Sequence, residues 1–297
     1  MTIGVWSRGH GSPWTAVLRV VSLVVLECRP IVLVMFALRF LAGAMLAAPG
    51  VQGVNSAAVL KGMVGGLGWL AATAFVYLGN GISDVGGDRV NGSHRPLAGG
   101  HLPVRTAVQV CKGLAITSVA LAAIVSPTFV VCVLAMLALG WAYSFGPAPA
   151  KGKAWAASTV IAAGGWLTYL AGEAAIGGAL SRNVVLTATM LGLWMGVAGN
   201  TKDLADAAGD ATAGRRTLPV VFGSRAAAWL SATACLLVAL ISFPVLRSVA
   251  PIVSFVLMSA AIVMLVIVLS GHGTRSNRLY IVFMTSQMLA NLLVASV

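Results

Sequence analysis

The chain has 297 residues, 59% of them hydrophobic and only 9% charged, with a mean hydropathy of +0.96. A soluble domain is about 45–50% apolar and about 25% charged, so these side chains cannot wet the surface of a soluble globule, and a disordered or collagen-like chain fails on the same composition. Nineteen Lys and Arg against seven acids give a formal charge of +12; in an apolar chain that excess belongs in cytoplasmic loops and against anionic lipid headgroups, and no nucleic-acid partner is expected.

Taken in chain order, the first apolar run is Trp14 to Cys28. It is short, carries Arg19 and ends at Glu27-Cys28-Arg29-Pro30. Those features suit a helix lying in the membrane interface rather than one crossing it. No small-residue cleavage site follows it, which argues against a removed signal peptide. Beyond it, stretches matched to a hydrocarbon core roughly 30 Å thick fall at about 30–48, 62–82, 104–124, 127–144, 154–171, 183–201, 226–244, 250–270 and 279–296. The expected fold is an all-α integral membrane protein, nine transmembrane helices forming one domain over residues 30–297, behind an N-terminal tail and interfacial helix over 1–29.

Arg89, Arg95 and Arg105, then Lys151 and Lys153, then Lys202, Arg215, Arg216 and Arg225, then Arg275 and Arg278 follow the second, fourth, sixth and eighth spans. With Arg8, Arg19 and Arg29 they place the N-terminus and the basic loops in the cytoplasm, and Val297 outside, with the plasma membrane as the expected site. Cys28, Cys111, Cys132 and Cys235 stand singly in apolar runs and read as reduced packing residues.

All five aspartates fall in two short stretches, Asn80-Gly-Ile-Ser-Asp84-Val-Gly-Gly-Asp88 and Asp203-Leu-Ala-Asp206-Ala-Ala-Gly-Asp210. Each follows a span ending on the cytoplasmic side. On a helix Asn80, Asp84 and Asp88 share one face, as do Asp203, Asp206 and Asp210. Like charges stacked in this way repel unless a cation separates them. That cation is either Mg²⁺, which takes hard oxygen ligands and shares them with substrate phosphates, or a cluster of Arg and Lys. The neighbouring Arg89, Arg95, Lys151, Lys202 and Arg215 are what the remaining oxygens of a diphosphate require.

These residues resemble the UbiA superfamily of intramembrane prenyltransferases, whose NxxxDxxxD and DxxxD motifs appear here as Asn80/Asp84/Asp88 and Asp206/Asp210. The flanks are similar too: Arg29-Pro30 at the first span, Asp88-Arg89-Val-Asn91 leading to Arg95-Pro96-Leu97, Tyr143-Ser144 with Lys151, and Lys202-Asp203 leading to Thr217-Leu218-Pro219. The resemblance implies a bundle around a central cavity, two Mg²⁺ ions held by Asn80, Asp84, Asp88, Asp206 and Asp210, and a polyprenyl diphosphate contacted by Arg95, Lys151, Lys202, Asp203 and Tyr143. It implies catalysis at Asp84, Asp88, Asp206 and Asp210, with the prenyl group passing to an acceptor, most often aromatic in this superfamily. A terpene cyclase on the same scaffold would need the same ionisation site. A cation transporter would hold its carboxylates near the bilayer midplane, not at helix ends beside Arg.

Arg39 falls inside the first span, where a bare charge costs at least about 2.5 kcal/mol on insertion scales, so it is expected to face the cavity or to pair with Glu27 or Glu173. Glu173 reads as a cap or loop residue. His94 and His101 flank the first motif loop, 89–103, and the corresponding segment 207–224 is expected to be a second loop over the site. Glycines 79, 81, 86 and 87 crowd the first motif and permit close packing or local unwinding. Tyr77, Tyr143, Tyr169 and Trp194 lie where aromatic faces could hold an allylic cation.

Overall fold

Proline opens four of the helices in the computed structural model, which describes residues 12–48, 55–273 and 277–296. Its fixed φ and missing N–H suit the first helical position, and it stands there in α1 (Pro13–Glu27), α2 (Pro30–Ala47), α5 (Pro127–Ser144) and α11 (Pro251–Leu269). Side-chain caps start two others and reinforce one of these: Asn55 accepts the N–H of Ala58 at 3.0 Å for α3 (Ser56–Val90) and Ser181 that of Val184 at 3.3 Å for α7 (Arg182–Ala198), while Ser126 accepts that of Phe129 at 3.1 Å for α5. The remaining helices are α4 (Val104–Val125), α6 (Ala154–Ala175), α8 (Asp203–Thr212), α9 (Leu218–Phe222), α10 (Ser224–Val249) and α12 (Arg278–Ala295). No strand occurs among the described residues.

Eight of these helical stretches are long and apolar enough to cross a membrane, and the chain is an integral membrane protein. The predicted fifth span, α6, is rich in Ala, Gly, Ser and Thr because it faces protein more than lipid, with α2, α5 and α7 packed around it. Small residues set that spacing. A methyl group on Gly43 would run into the backbone of Tyr169, and one on Gly172 into that of Phe40, so α2 and α6 approach to backbone contact. Phe40, Trp69 and Phe129 fill the space beside this crossing, with ring centroids 6.1–6.4 Å apart.

The run Trp14 to Cys28 forms the helix α1, with Trp14, Val17 and Leu18 exposed on it. It breaks from α2 at Arg29, whose φ of 57° is left-handed; the following proline bars this residue from the right-handed helix, and it adopts the rarer well. Arg8, Arg275 and Val297, used in the orientation argument, lie outside the described residues.

Two boundaries depart from the sequence expectation. The second span runs past residue 82 to Val90, carrying the whole first motif on unbroken helix. Each glycine in a helix costs about 1 kcal/mol against alanine, but here Gly79 packs on Phe145 and Gly81 on Glu27 and Arg95, and that contact holds the helix together. The expected loop over 89–103 therefore begins after Val90, and Leu97 and Leu102 anchor it in a small core with Val24 and Cys28. The segment 207–224 likewise contains the end of α8 and all of α9. All four cysteines are buried and free, as expected.

Candidate active site

Helix α3 presents Asn80, Asp84 and Asp88 on successive turns of one face. Asp84, 9% exposed, is the most heavily bonded of them. Its Oδ1 accepts the Lys151 ammonium at 2.6 Å and also the Arg215 guanidinium. Asp88 Oδ2 accepts Arg95 Nη1 at 2.8 Å. Asn80 lines the cavity described below, with its Oδ1 buried and unpartnered.

The second acid stripe sits on α8, reached from α7 through a 3₁₀ turn over Gly199–Lys202. At its other end Gly214 takes a φ of +67°, allowing a Schellman closure in which the Arg215 N–H donates to the Asp210 carbonyl at 2.9 Å. The chain thereby doubles back, and Arg215 Nη1 meets Asp210 Oδ1 at 3.0 Å while Nη2 reaches Asp84. One guanidinium thus joins both aspartate motifs. Asp203 lies within electrostatic reach of Lys202, Asp210, Asp206 and Arg215, and Asp206 within reach of Lys202, Arg29, Asp210 and Asp88. The six motif side chains converge at one end of the bundle.

A backbone bridge between Lys153 and Arg216 ties the loop after α5 to the loop after α8. In that arrangement Lys151 points at Asp84 while Lys153 is exposed. Burial pulls the Lys151 ammonium below its ordinary pKa, against Asp84, which raises it. Lys202 donates to the Tyr143 hydroxyl at 3.3 Å. Arg95 is braced from behind: its Nη2 meets Glu27 Oε1 at 2.7 Å, and Glu27 Oε2 accepts the Leu97 N–H at 2.9 Å.

Among the described residues no three His, Cys, Asp or Glu side chains stand close enough to enclose a metal ion. Of the two cations that could relieve the carboxylates, the structure displays the Arg and Lys cluster. That is consistent with an Mg²⁺ site of the open kind, in which a few carboxylates share the ion with substrate phosphates: Asp84 and Asp210, one from each motif, meet on the Arg215 guanidinium, and Asn80, one turn before Asp84 on α3, keeps its Oδ1 orphaned.

Behind the acids a cavity of about 130 Å³ runs into the bundle, with Arg29, Asn80, Tyr143 and Lys202 in its wall and Arg39 and Gln287 farther in. Tyr77 also lines it, whereas Tyr169 and Trp194 are packed in the core. His94 and His101 line a shallow recess outside, beside Arg95. Neither expected partner of Arg39 pairs with it: Glu27 holds Arg95, and Glu173 Oε1 accepts the Ser181 N–H at 2.8 Å, the loop role expected of it. Sequence reasoning set Arg215 among the rim cations without seeing it as the bridge, and it missed Glu27 as a brace. The signal for the first was Gly214, a C-cap glycine immediately before a basic residue.

A family model described as "UbiA prenyltransferase family" matches residues 36–288. The chain belongs to the UbiA prenyltransferase family. Digeranylgeranylglyceryl phosphate synthase from two strains of Halobacterium salinarum is 33% identical to it over 171 residues, 56% of this chain. The chain spans 58% of the length of these curated relatives. Among solved UbiA structures, a homologue from Archaeoglobus fulgidus bound to GPP and Mg²⁺ is 21% identical, with a TM-score of 0.70 over 93% of this chain and 100% of that one. The same homologue bound to DMAPP and Mg²⁺ gives 20%, 0.69, 92% and 99%. At these identities the likeness is one of fold.

Proposed function

We propose that this UbiA chain is an Mg²⁺-dependent prenyltransferase, moving a prenyl group from a prenyl diphosphate to an aromatic or other lipophilic acceptor within the membrane. The observation that carries the reading is Arg215 spanning Asp84 and Asp210 beside Lys151, at the head of an apolar cavity. Alternating carboxylates and cations suit a metal-bound diphosphate, and the cavity suits its tail. The GPP and DMAPP complexes of the A. fulgidus homologue support the donor class.

Asn80, Asp84 and Asp88 would hold one Mg²⁺ and Asp206 and Asp210 a second. Bound Mg²⁺ supplies Lewis-acid stabilisation of the charge that develops on the departing diphosphate. Arg95, Lys151 and Lys202, with Arg215, bind the diphosphate oxygens by charge-assisted hydrogen bonds, and Asp203 orients Lys202. The apolar wall keeps water from the allylic cation, and Tyr77 and Tyr143 offer it their ring faces. Residues 30–297 form the catalytic domain, with α1 lying on its flank and the N-terminus and active-site loops cytoplasmic, in the plasma membrane.

Purified protein given geranyl diphosphate, Mg²⁺ and an acceptor is expected to release diphosphate and yield the prenylated acceptor. A chelator should lower that rate by about 10²-fold or more, reversed by added Mg²⁺. An undiminished rate in chelator overturns the metal assignment. A cyclic hydrocarbon or alcohol formed without acceptor reassigns the chain to cyclisation.

A further inference from the structure

The cavity behind the acids ends at methionine. Tyr143 and Lys202 stand at its head, and seven residues before them Met136 on α5 and Met195 on α7 stand at its inner limit. Seven residues of helix span about 10 Å. Both methionines are buried, and Val133 and Leu191, one turn farther in on the same helices, are packed in the hydrophobic core. On α6 the cavity is lined by a glycine. A methyl group on Gly164 would meet only the Met136 sulfur, 3.9 Å away, whereas one on Gly165 would collide with the Met195 sulfur. The two thioethers thus sit against adjacent glycines.

The walls are sealed beside this floor. Gly140 packs on the Val76 side chain, bringing α5 against α3, and Gly196 packs on Ala162 and the Ser158 carbonyl, bringing α7 against α6. On α2 and α12 the inner lining is Arg39 and Gln287, whose unpartnered polar atoms give an apolar chain no favourable contact.

An isoprene unit adds four carbon–carbon bonds of about 1.5 Å to a chain and extends it by about 5 Å, so a depth of about 10 Å holds two units. We propose that Met136 and Met195, closing on Gly164 and Gly165, set the length of the donor, and that geranyl diphosphate is the longest prenyl diphosphate whose tail the cavity encloses. The inference rests on the prenyl-transfer reading of the same cavity. A third unit would have to drive both thioethers into a core already filled by Val133 and Leu191, and overpacking of that kind is unfavourable. Methionine suits this place because its unbranched, flexible side chain fills the irregular end of a cavity without leaving a gap.

The test measures calorimetric binding of dimethylallyl, geranyl and farnesyl S-thiolodiphosphates with Mg²⁺ to the full chain in nanodiscs of fixed lipid composition. The carbon–sulfur bond of these probes ionises far more slowly than the carbon–oxygen bond of a prenyl diphosphate. Each variant is compared with wild type, so the partition of each tail into lipid cancels. Met136→Ala combined with Met195→Ala is expected to raise farnesyl affinity relative to geranyl by about tenfold or more, and Met136→Ala alone to give a smaller shift of the same sign. Gly164→Leu should act in the opposite sense, lowering geranyl affinity relative to dimethylallyl by about tenfold or more, because its side chain enters the space of the second unit. Dimethylallyl is too short to reach the floor, and retention of its binding shows that each variant is folded. A farnesyl-to-geranyl ratio that both methionine variants leave unchanged, or a geranyl-to-dimethylallyl ratio that Gly164→Leu leaves unchanged, overturns the floor and sends the tail out between helices into the bilayer. Failure of wild type to bind any of the three probes overturns the prenyl-transfer reading itself.

Discussion

Replacing Asp84 by asparagine is expected to lower prenyl transfer by about 10²-fold or more while leaving the protein folded and extractable. Asp84 is the point at which Lys151 and Arg215 meet. Without its charge the first motif loses the carboxylate proposed to hold Mg²⁺, and two cations face each other across a neutral amide. The fold should survive because Arg215 keeps Asp210 and the helix that carries residue 84 is packed along its length. Asp206→Asn should lose activity similarly, since Asp206 is the half-buried motif carboxylate with electrostatic reach to both Asp88 and Asp210. Diphosphate release at saturating Mg²⁺ is the measurement. Near-normal turnover in both variants would show that these carboxylates do not hold the catalytic metal.

The second large effect is on stability. Glu27 is fully buried and accepts from the Arg95 guanidinium and the Leu97 N–H, joining α1 to the loop after α3. Removing one partner from a buried ion pair leaves the other charge uncompensated, at a cost of about 3–5 kcal/mol. Glu27→Gln should therefore lower the thermal midpoint by several degrees. It should also open the 91–103 segment to protease and weaken Asp88, whose Arg95 partner loses its support. Glu173→Gln is the milder control, because that carboxylate accepts a single backbone N–H. Equal midpoints for the two variants would remove Glu27 as a brace.

Hydropathy was enough to locate the long helices, because an apolar run of about 20 residues has few alternatives in a bilayer. The acid stripes were equally legible, since Asp84 and Asp210 belong to the two stretches that hold every aspartate. What joins them was not. Arg215 meets Asp84 across 131 residues, and Arg95 meets the Glu27 backbone across 68, separations that no helical period encodes. The continuity of α3 through four glycines was hidden for a related reason: propensity argues for a break, and the packing of Phe145, Glu27 and Arg95 against Gly79 and Gly81 overrides it. Arg39 was visible as an anomaly from position alone, yet its lack of a counter-ion became evident only once Glu27 and Glu173 were seen to be engaged elsewhere.

The pairing of Lys153 with Arg216 has a practical corollary for engineering. Lys151 and Arg215 are delivered by two segments that share one backbone junction, with the Arg216 N–H on the Gly152 carbonyl at 2.9 Å and the Ala154 N–H on the Arg216 carbonyl at 3.2 Å. An insertion, deletion or graft in either segment displaces the functional side chain of the other. Chimeras that exchange both segments together should keep their charges in register, and those that exchange one should not.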